Sequence, residues 1–172
     1  MLKLIERLGP VKASAASDTL TLPFELRMRG RLKAESDSGR ELGLFLDRGP
    51  VLRGGEGLKA ENGEVIRVQA AVEPVVTARV AAGLPLARLA YHLGNRHVQL
   101  ALGIDEQRED ERGGWVRFPP DHVLEELAAR LGAVLEYHEA TFDPEPGAYN
   151  QVGGHDHSHH DHFHNHAHDH AH

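Results

Sequence analysis

Residues 84–104, LPLARLAYHLGNRHVQLALGI, carry the pattern that decides the fold of the second half of this 172-residue chain. Pro85 suits the first turn of a helix, and Gly94-Asn95 tolerates the left-handed conformation in which helices end. Residues 98–104 then predict a strand. The helical stripe at positions i, i+3, i+4 and i+7 consists of Leu86, Leu89, Ala90 and Leu93.

A second helical stripe follows downstream. Asp121, after two prolines, suits the N-cap, and Gly132 closes the helix. Its apolar members are Val123, Leu124, Leu127, Ala128 and Leu131. Strands are predicted over residues 73–80, 115–118 and 134–141. The resulting order is strand, helix, strand, strand, helix, strand, which predicts a ferredoxin-like (βαββαβ) domain.

The first part of the chain predicts β structure without a helical period. Apolar or alternating segments predict strands, and Asn62-Gly63 between two of them indicates a hairpin. These segments are residues 19–22, 24–28, 42–46 and 65–70. Gly- and Asp-rich turns separate them, the glycine-rich run of residues 54–57 among them. We therefore expect an α+β chain whose N-terminal part is a small β-barrel or sandwich.

Three regions follow from these patterns. Residues 1–72 form the β-rich domain, and residues 73–148 form the ferredoxin-like domain. Residues 149–172 lack the apolar side chains of a core and predict a disordered His-rich tail.

The amino-acid composition excludes several classes of function. The chain has no cysteine, which excludes thiolate chemistry, and its net charge of −7 argues against a nucleic-acid binder. No apolar run is long enough for a membrane helix, and the N-terminus lacks a signal-peptide core. We expect a cytoplasmic protein with no nucleic-acid or membrane partner.

Histidine is unusually frequent in this chain, which contains fourteen of them. In an extended chain, residues two apart point the same way, so one cation can draw neighbouring imidazoles together. Imidazole suits nickel, copper, zinc and cobalt, and the spacing does not select among them. An engineered tag or a solubilising tail is the alternative, although Asp, Ser, Asn, Phe and Ala interrupt the run. The candidate tail ligands are His155, His157, His159, His160, His162, His164, His166, His168, His170 and His172.

Four histidines lie outside the tail. His97 falls at a predicted helix–strand boundary, where a side chain can reach an ion while the scaffold holds it. A two-fold dimer would place two copies of His97 opposite each other. His122, in the first turn of the second helix, is a second candidate ligand, with a solvated surface role as the alternative. His92 and His138 are interpreted as structural or surface residues.

No catalytic constellation is evident, so an enzyme is not expected. The serines lie in loops or the tail without a nucleophile-elbow pattern. Residues 54–59 (GGEGLK) resemble a phosphate-binding loop only superficially, because the spacing and the following helix are missing.

The motifs taken together resemble the urease accessory protein UreE family of nickel metallochaperones. The most specific motif is Leu93-Gly94-Asn95-Arg96-His97-Val98. Further matches are residues 48–53 (RGPVLR), 70–75 (AAVEPV), 121–124 (DHVL) and 147–149 (GAY). Gln99 departs from the family, which usually has proline there, and Pro120 stands where some members have another histidine.

The resemblance implies a homodimer with a peptide-binding N-terminal domain and a metal-binding ferredoxin-like domain. His97 from both subunits would be the central ligand for Ni(II), with tail histidines adding capacity. Zn(II) and Cu(II) are ions that the same ligands could take in vitro. The implied partners are the urease accessory GTPase with the other urease accessory proteins, and apo-urease. The alternative function is nickel or zinc storage or detoxification without specific delivery.

Overall fold

The computed structural model describes residues 1–147, which form two β-sheets with intervening helices. None of the helices in this range combines the length and hydropathy of a membrane span. The helices are a 3-10 turn (Ala13–Ala15), α1 (Phe24–Arg27), α2 (Leu84–Gly94) and α3 (His122–Arg130). The strands are β1 (Leu2–Pro10), β2 (Asp18–Leu22), β3 (Arg31–Glu35), β4 (Glu41–Phe45), β5 (Glu56–Ala60), β6 (Val65–Ala70), β7 (Val72–Val80), β8 (Ala101–Ile104), β9 (Gly114–Phe118) and β10 (Val134–Thr141).

The first sheet curls into a nearly closed barrel. Its strand order is β2-β6-β5-β1-β4-β3, and its two edges approach each other through Asp37. The Asp37 N–H donates to the Thr19 carbonyl at 2.8 Å, and its carboxylate accepts from the Thr21 hydroxyl at 2.8 Å. Fully buried leucines, including Leu4, Leu42 and Leu58, fill the interior. The predicted mixed α+β class and the β-rich first part are confirmed.

Three of the four segments predicted as strands in this sheet, residues 19–22, 42–46 and 65–70, correspond to β2, β4 and β6. Asn62-Gly63 joins β5 and β6 as predicted, with Gly63 at φ 87°. The prediction of a strand over residues 24–28 is wrong. Residues 24–27 form α1, and the side chain of Arg27 is buried. Phe24 and Arg27, three residues apart, are both buried, which a helix permits and a strand does not.

Two strands had no sequence signal. β1 lies between β4 and β5, but register shifts after Leu4 and after Arg7 interrupt the alternation that identifies a strand. β3, an edge strand, alternates charged residues with half-buried Leu32 and Ala34. The predicted turn over residues 54–57 is shorter than expected, since Glu56 and Gly57 already belong to β5.

The second sheet has the strand order β10-β7-β9-β8, with α2 following β7 and α3 following β9. This order of elements is the predicted one. Val76, Ala78, Val116 and Phe118 point from the sheet into a core that both helices cover. The helical side chains of this core include Leu89, Leu93, Leu124 and Ala128.

The strand predicted over residues 98–104 begins only at Ala101. Ala101 pairs with Arg117 on β9, so residues 98 and 99 would have to pair with Pro120 and Pro119. Proline has no N–H to donate to a ladder, and the strand pairing therefore stops before them.

A buried junction joins the two sheets. Phe24 from α1 meets Phe142, which follows β10, with ring centroids 5.1 Å apart and planes at 76°. Arg27 is 1% exposed and donates to the carbonyls of Leu22 (3.2 Å), Leu52 (3.0 Å) and Phe142. Burial lowers the pKa of Arg27, and the nearby Asp143 carboxylate opposes that shift. One guanidinium thus satisfies carbonyls on both sides of the junction.

Replacing Arg27 should therefore weaken the whole junction. We expect Arg27→Met to lower the free energy of unfolding by about 3 kcal/mol, because buried carbonyls lose their donor. Urea denaturation of the metal-free protein measures this change. The control is Arg29→Gln, whose ion pair with Glu25 is exposed (53% and 77%) and should cost under about 1 kcal/mol. Equal losses in the two variants would contradict this role for Arg27.

Candidate metal centre

The turn after α2 presents His97 to solvent. His97 has φ 55°, and no other non-glycine residue within residues 1–147 has a positive φ. Its N–H donates to the Gly94 carbonyl at 3.0 Å, while Asn95 keeps a right-handed φ of −62°. The left-handed residue predicted at Gly94-Asn95 therefore lies at His97 instead. The side chain of His97 is exposed.

Core packing on both sides fixes the position of this turn. Leu93, just before it, is fully buried, and Leu100, just after it, is 8% exposed. Both belong to the core between the second sheet and its helices, and the half-buried Val98 packs against the same core. The backbone at His97 is consequently held while its imidazole remains accessible.

A groove of about 370 Å³ lies beside His97. We call it the His97 groove; its lining residues are Phe24, His97, Val98, Gln99, Pro119, Pro120, Asp121, Leu124 and Phe142. The groove brings His97 next to the start of α3, although 23 residues lie between His97 and Asp121 in the sequence. Its walls are mostly apolar, with His97 and Asp121 at the rim as the ionisable groups.

His122, the second predicted ligand in this domain, is the first residue of α3 and is exposed. Asp121 is the N-cap, as predicted: its carboxylate accepts from the N–H groups of Val123 (2.9 Å) and Leu124 (3.1 Å). The Glu125 carboxylate accepts from the Asp121 N–H at 3.1 Å and completes the cap. Capping therefore occupies Oδ1 of Asp121, and the neighbouring imidazole of His122 is exposed at the start of the helix.

The other two described histidines lie elsewhere. His138 on β10 shares a hydrogen bond of 2.7 Å between its Nε2 and the hydroxyl of Thr77, which also accepts from Arg117. That bond occupies one of the two ring nitrogens through which His138 could bind a metal. His92 is exposed on α2 and lies edge-on against Tyr91, with ring centroids 5.3 Å apart.

No group of three or more His, Asp or Glu side chains suited to a metal ion forms within residues 1–147. The ten candidate ligands from His155 to His172 lie outside the described residues. Within residues 1–147, His97 therefore has no two further His, Asp or Glu side chains grouped with it to share a cation.

Sequence reasoning did not identify the aromatic walls of the His97 groove. Phe24 and Phe142 come from α1 and from the segment after β10, far apart along the chain. Phe24 had also been assigned to a strand. No local pattern links these two residues.

Because His97 has a positive φ, substitutions there can test whether its side chain contributes to folding, apart from any role as a metal ligand. We expect His97→Gly to leave the free energy of unfolding unchanged or to raise it by up to about 1 kcal/mol, since glycine adopts positive φ without steric cost. His97→Val should lower it by about 1–2 kcal/mol, because a β-branched residue is strained there. Urea denaturation of metal-free protein measures both. A clear loss in His97→Gly would show that the imidazole itself supports the fold.

Comparison with known proteins places the chain in a family. The model of the UreE urease accessory protein N-terminal domain matches residues 4–71, and that of the C-terminal domain matches residues 73–172. The urease accessory protein UreE of Marinobacter nauticus is 65% identical, covering 91% of this chain and 88% of that protein. The protein of the same name from Pseudoalteromonas translucida is 60% identical over 89% of this chain and 88% of its own length. The chain therefore belongs to the UreE family of urease accessory proteins, and it is an accessory protein, not an enzyme.

Proposed function

We propose that this protein is a nickel metallochaperone that captures Ni(II) and delivers it for assembly of the urease active site. The observation that carries the proposal is His97: an exposed imidazole on a rigid turn, in a chain of the UreE family. Ni(II) is the cargo, and imidazole nitrogen is a ligand that it accepts.

Three regions share this work. Residues 1–72 act as the peptide-binding domain, residues 73–148 as the ferredoxin-like metal-binding domain, and residues 149–172 as the His-rich tail. The change of sheet between β6 and β7 supports the first boundary. The tail histidines collect Ni(II), and their alternation in sequence supports that role. In vitro they would also take Zn(II) or Cu(II).

The ordered site is completed by a second copy of the chain. A two-fold homodimer places His97 opposite its counterpart, so two fixed imidazoles meet one ion. Exposed apolar side chains near both candidate ligands support such an interface: Tyr91 on the last turns of α2 is 65% exposed, and Val123 beside His122 is 41% exposed. His122 takes a remaining coordination position, and the tail histidines add capacity for further ions.

Delivery requires that the ion can leave. Exposed imidazoles permit stepwise ligand exchange, whereas a closed site would retain the ion. The proposed recipients are the urease accessory GTPase, in complex with the other urease accessory proteins, and through them apo-urease, all in the cytoplasm. The family name, urease accessory protein, supports this destination.

Nickel titration of matched variants tests the proposal. His97→Ala should abolish the tightest ion, shared between two chains, and leave the weaker tail ions. Truncation after residue 152 should do the reverse, keeping the tight ion and lowering the total bound. His92→Ala is the control, because His92 is exposed but lies outside the His97 groove. Calorimetry gives the affinities, and the mass measured in parallel gives the number of chains per ion.

Retention of the tightest site in His97→Ala would overturn the assignment of that residue. Delivery and storage are separated by urease activation with the truncated protein. A carrier should still activate urease when nickel is ample, because the ordered site remains. A storage or detoxification protein should lose all function with the tail.

Acid should release the cargo. Imidazole binds a metal only when deprotonated, and free imidazoles take up a proton near pH ~6.5. Bound Ni(II) should therefore fall steeply between about pH 7.5 and 5.5, in full-length and truncated protein alike. Equilibrium dialysis against Ni(II) across this range measures the change. Binding that stays constant down to about pH 5.5 would exclude imidazole as the main ligand.

A further inference from the structure

A second groove, of about 370 Å³, lies on the barrel between the end of α1 and the loop after β4. We call it the arginine groove, because five arginines line it: Arg7, Arg27, Arg29, Arg31 and Arg48. Asp47 is the one carboxylate of the lining. Such a concentration of guanidinium groups is unexpected on a chain of net charge −7.

Two of these arginines are committed to the protein itself. Arg7 donates to Glu56 at 2.9 Å, in a pair whose side chains are 21% and 13% exposed. Arg27 is buried and satisfies backbone carbonyls at the junction of the two sheets. These two form the rigid floor of the arginine groove.

The remaining three are available to a ligand. Arg31 and Arg48 are exposed, and neither forms an ion pair with another residue in the range 1–147. Among the residues that the structure describes, Arg29 pairs with Glu25 alone, and both side chains are largely exposed (53% and 77%). Exposed pairs of this kind contribute little, so an incoming carboxylate can replace Glu25.

Close backbone approach gives the groove a defined shape. A Cβ at Gly30 would lie 3.0 Å from the Leu46 carbonyl oxygen, and a Cβ at Gly49 would overlap the Arg7 guanidinium. Both glycines line the groove. A side chain at Gly30 would require a small shift of the Leu46 carbonyl, and one at Gly49 would displace the end of the Arg7 side chain.

The arginine groove exposes apolar surface as well as positively charged side chains. Met28 is 49% exposed at the rim, Pro50 is also exposed, and Leu46 and Leu52 lie buried beneath. A simple anion would not use this surface, because it has no apolar part to pack there. A polypeptide segment with both carboxylate and apolar side chains matches both features.

We propose that the arginine groove binds an acidic segment of a partner polypeptide. Its carboxylates pair with Arg31 and Arg48, and an apolar side chain between them packs against Met28. Arg29 exchanges its pair with Glu25 for a third carboxylate. This assignment deepens the peptide-binding role proposed for residues 1–72 and rests on it.

Fluorescence anisotropy with a labelled peptide of alternating Glu and Leu tests the assignment. The full-length protein is used with a chelator, so that tail-bound metal cannot hold the peptide. Arg31→Gln/Arg48→Gln should weaken binding roughly tenfold, since two charge-assisted contacts are lost. The matched control is Arg88→Gln/Arg112→Gln, which removes the same charge from exposed positions on the other domain and should change affinity less than about twofold.

The assignment is overturned if the peptide does not bind, if the two double variants lose affinity equally, or if a Gln-Leu peptide binds as well. It is likewise overturned if inorganic phosphate at millimolar concentration displaces the peptide, because the site would then be one for free anions. Nickel titration of Arg31→Gln/Arg48→Gln should match wild type, and His97→Ala should keep the peptide. These measurements therefore distinguish failure of the proposed peptide binding at the arginine groove from failure of the proposed nickel site.

Discussion

A divalent cation of the borderline class needs several nitrogen or oxygen ligands, and one imidazole holds it only weakly. The described part of this chain supplies His97 on a turn between the buried Leu93 and Leu100, but no group of three ligands around it. This constraint determines the rest of the proposal. We propose that a second copy of the chain completes the site, and that a partner protein releases the ion by displacing one of these ligands.

The scaffold positions His97 by ordinary core packing. Leu93 and Leu100 are buried on either side of the turn, and α2 is covered by the same core as α3. The apolar walls of the His97 groove come partly from the junction with the barrel, through Phe24 and Phe142. Arg27 lines the arginine groove and also donates to the Phe142 carbonyl, so one buried side chain contacts the walls of both grooves.

Local signals in the sequence predicted the second sheet well. Both helical stripes except the exposed Val123, the Asp121 cap and the closing Gly132 are found where expected, because each depends on neighbouring residues alone. Long-range pairing explains what was missed. β1 alternates poorly because of its register shifts, α1 buries Arg27 at a distant junction, and β8 starts late because its partner positions are prolines.

In the candidate site, too, local features were predicted from the sequence and long-range ones were not. A helix–strand boundary predicted that His97 would be accessible, but not that His97 itself would adopt the left-handed conformation. The arginine groove draws on Arg7, Arg31 and Arg48, which three separate segments bring together, so no motif identified it. The tail ligands lie outside the described residues and stay a prediction.

The central claim is that two chains share one ion at His97. Native mass spectrometry of the protein truncated after residue 152, loaded with one equivalent of Ni(II) per chain, tests it most directly. The account predicts a dimer that holds a single tightly bound Ni(II). A monomer that retains its own Ni(II), or a dimer that holds two equivalent ions, would contradict it.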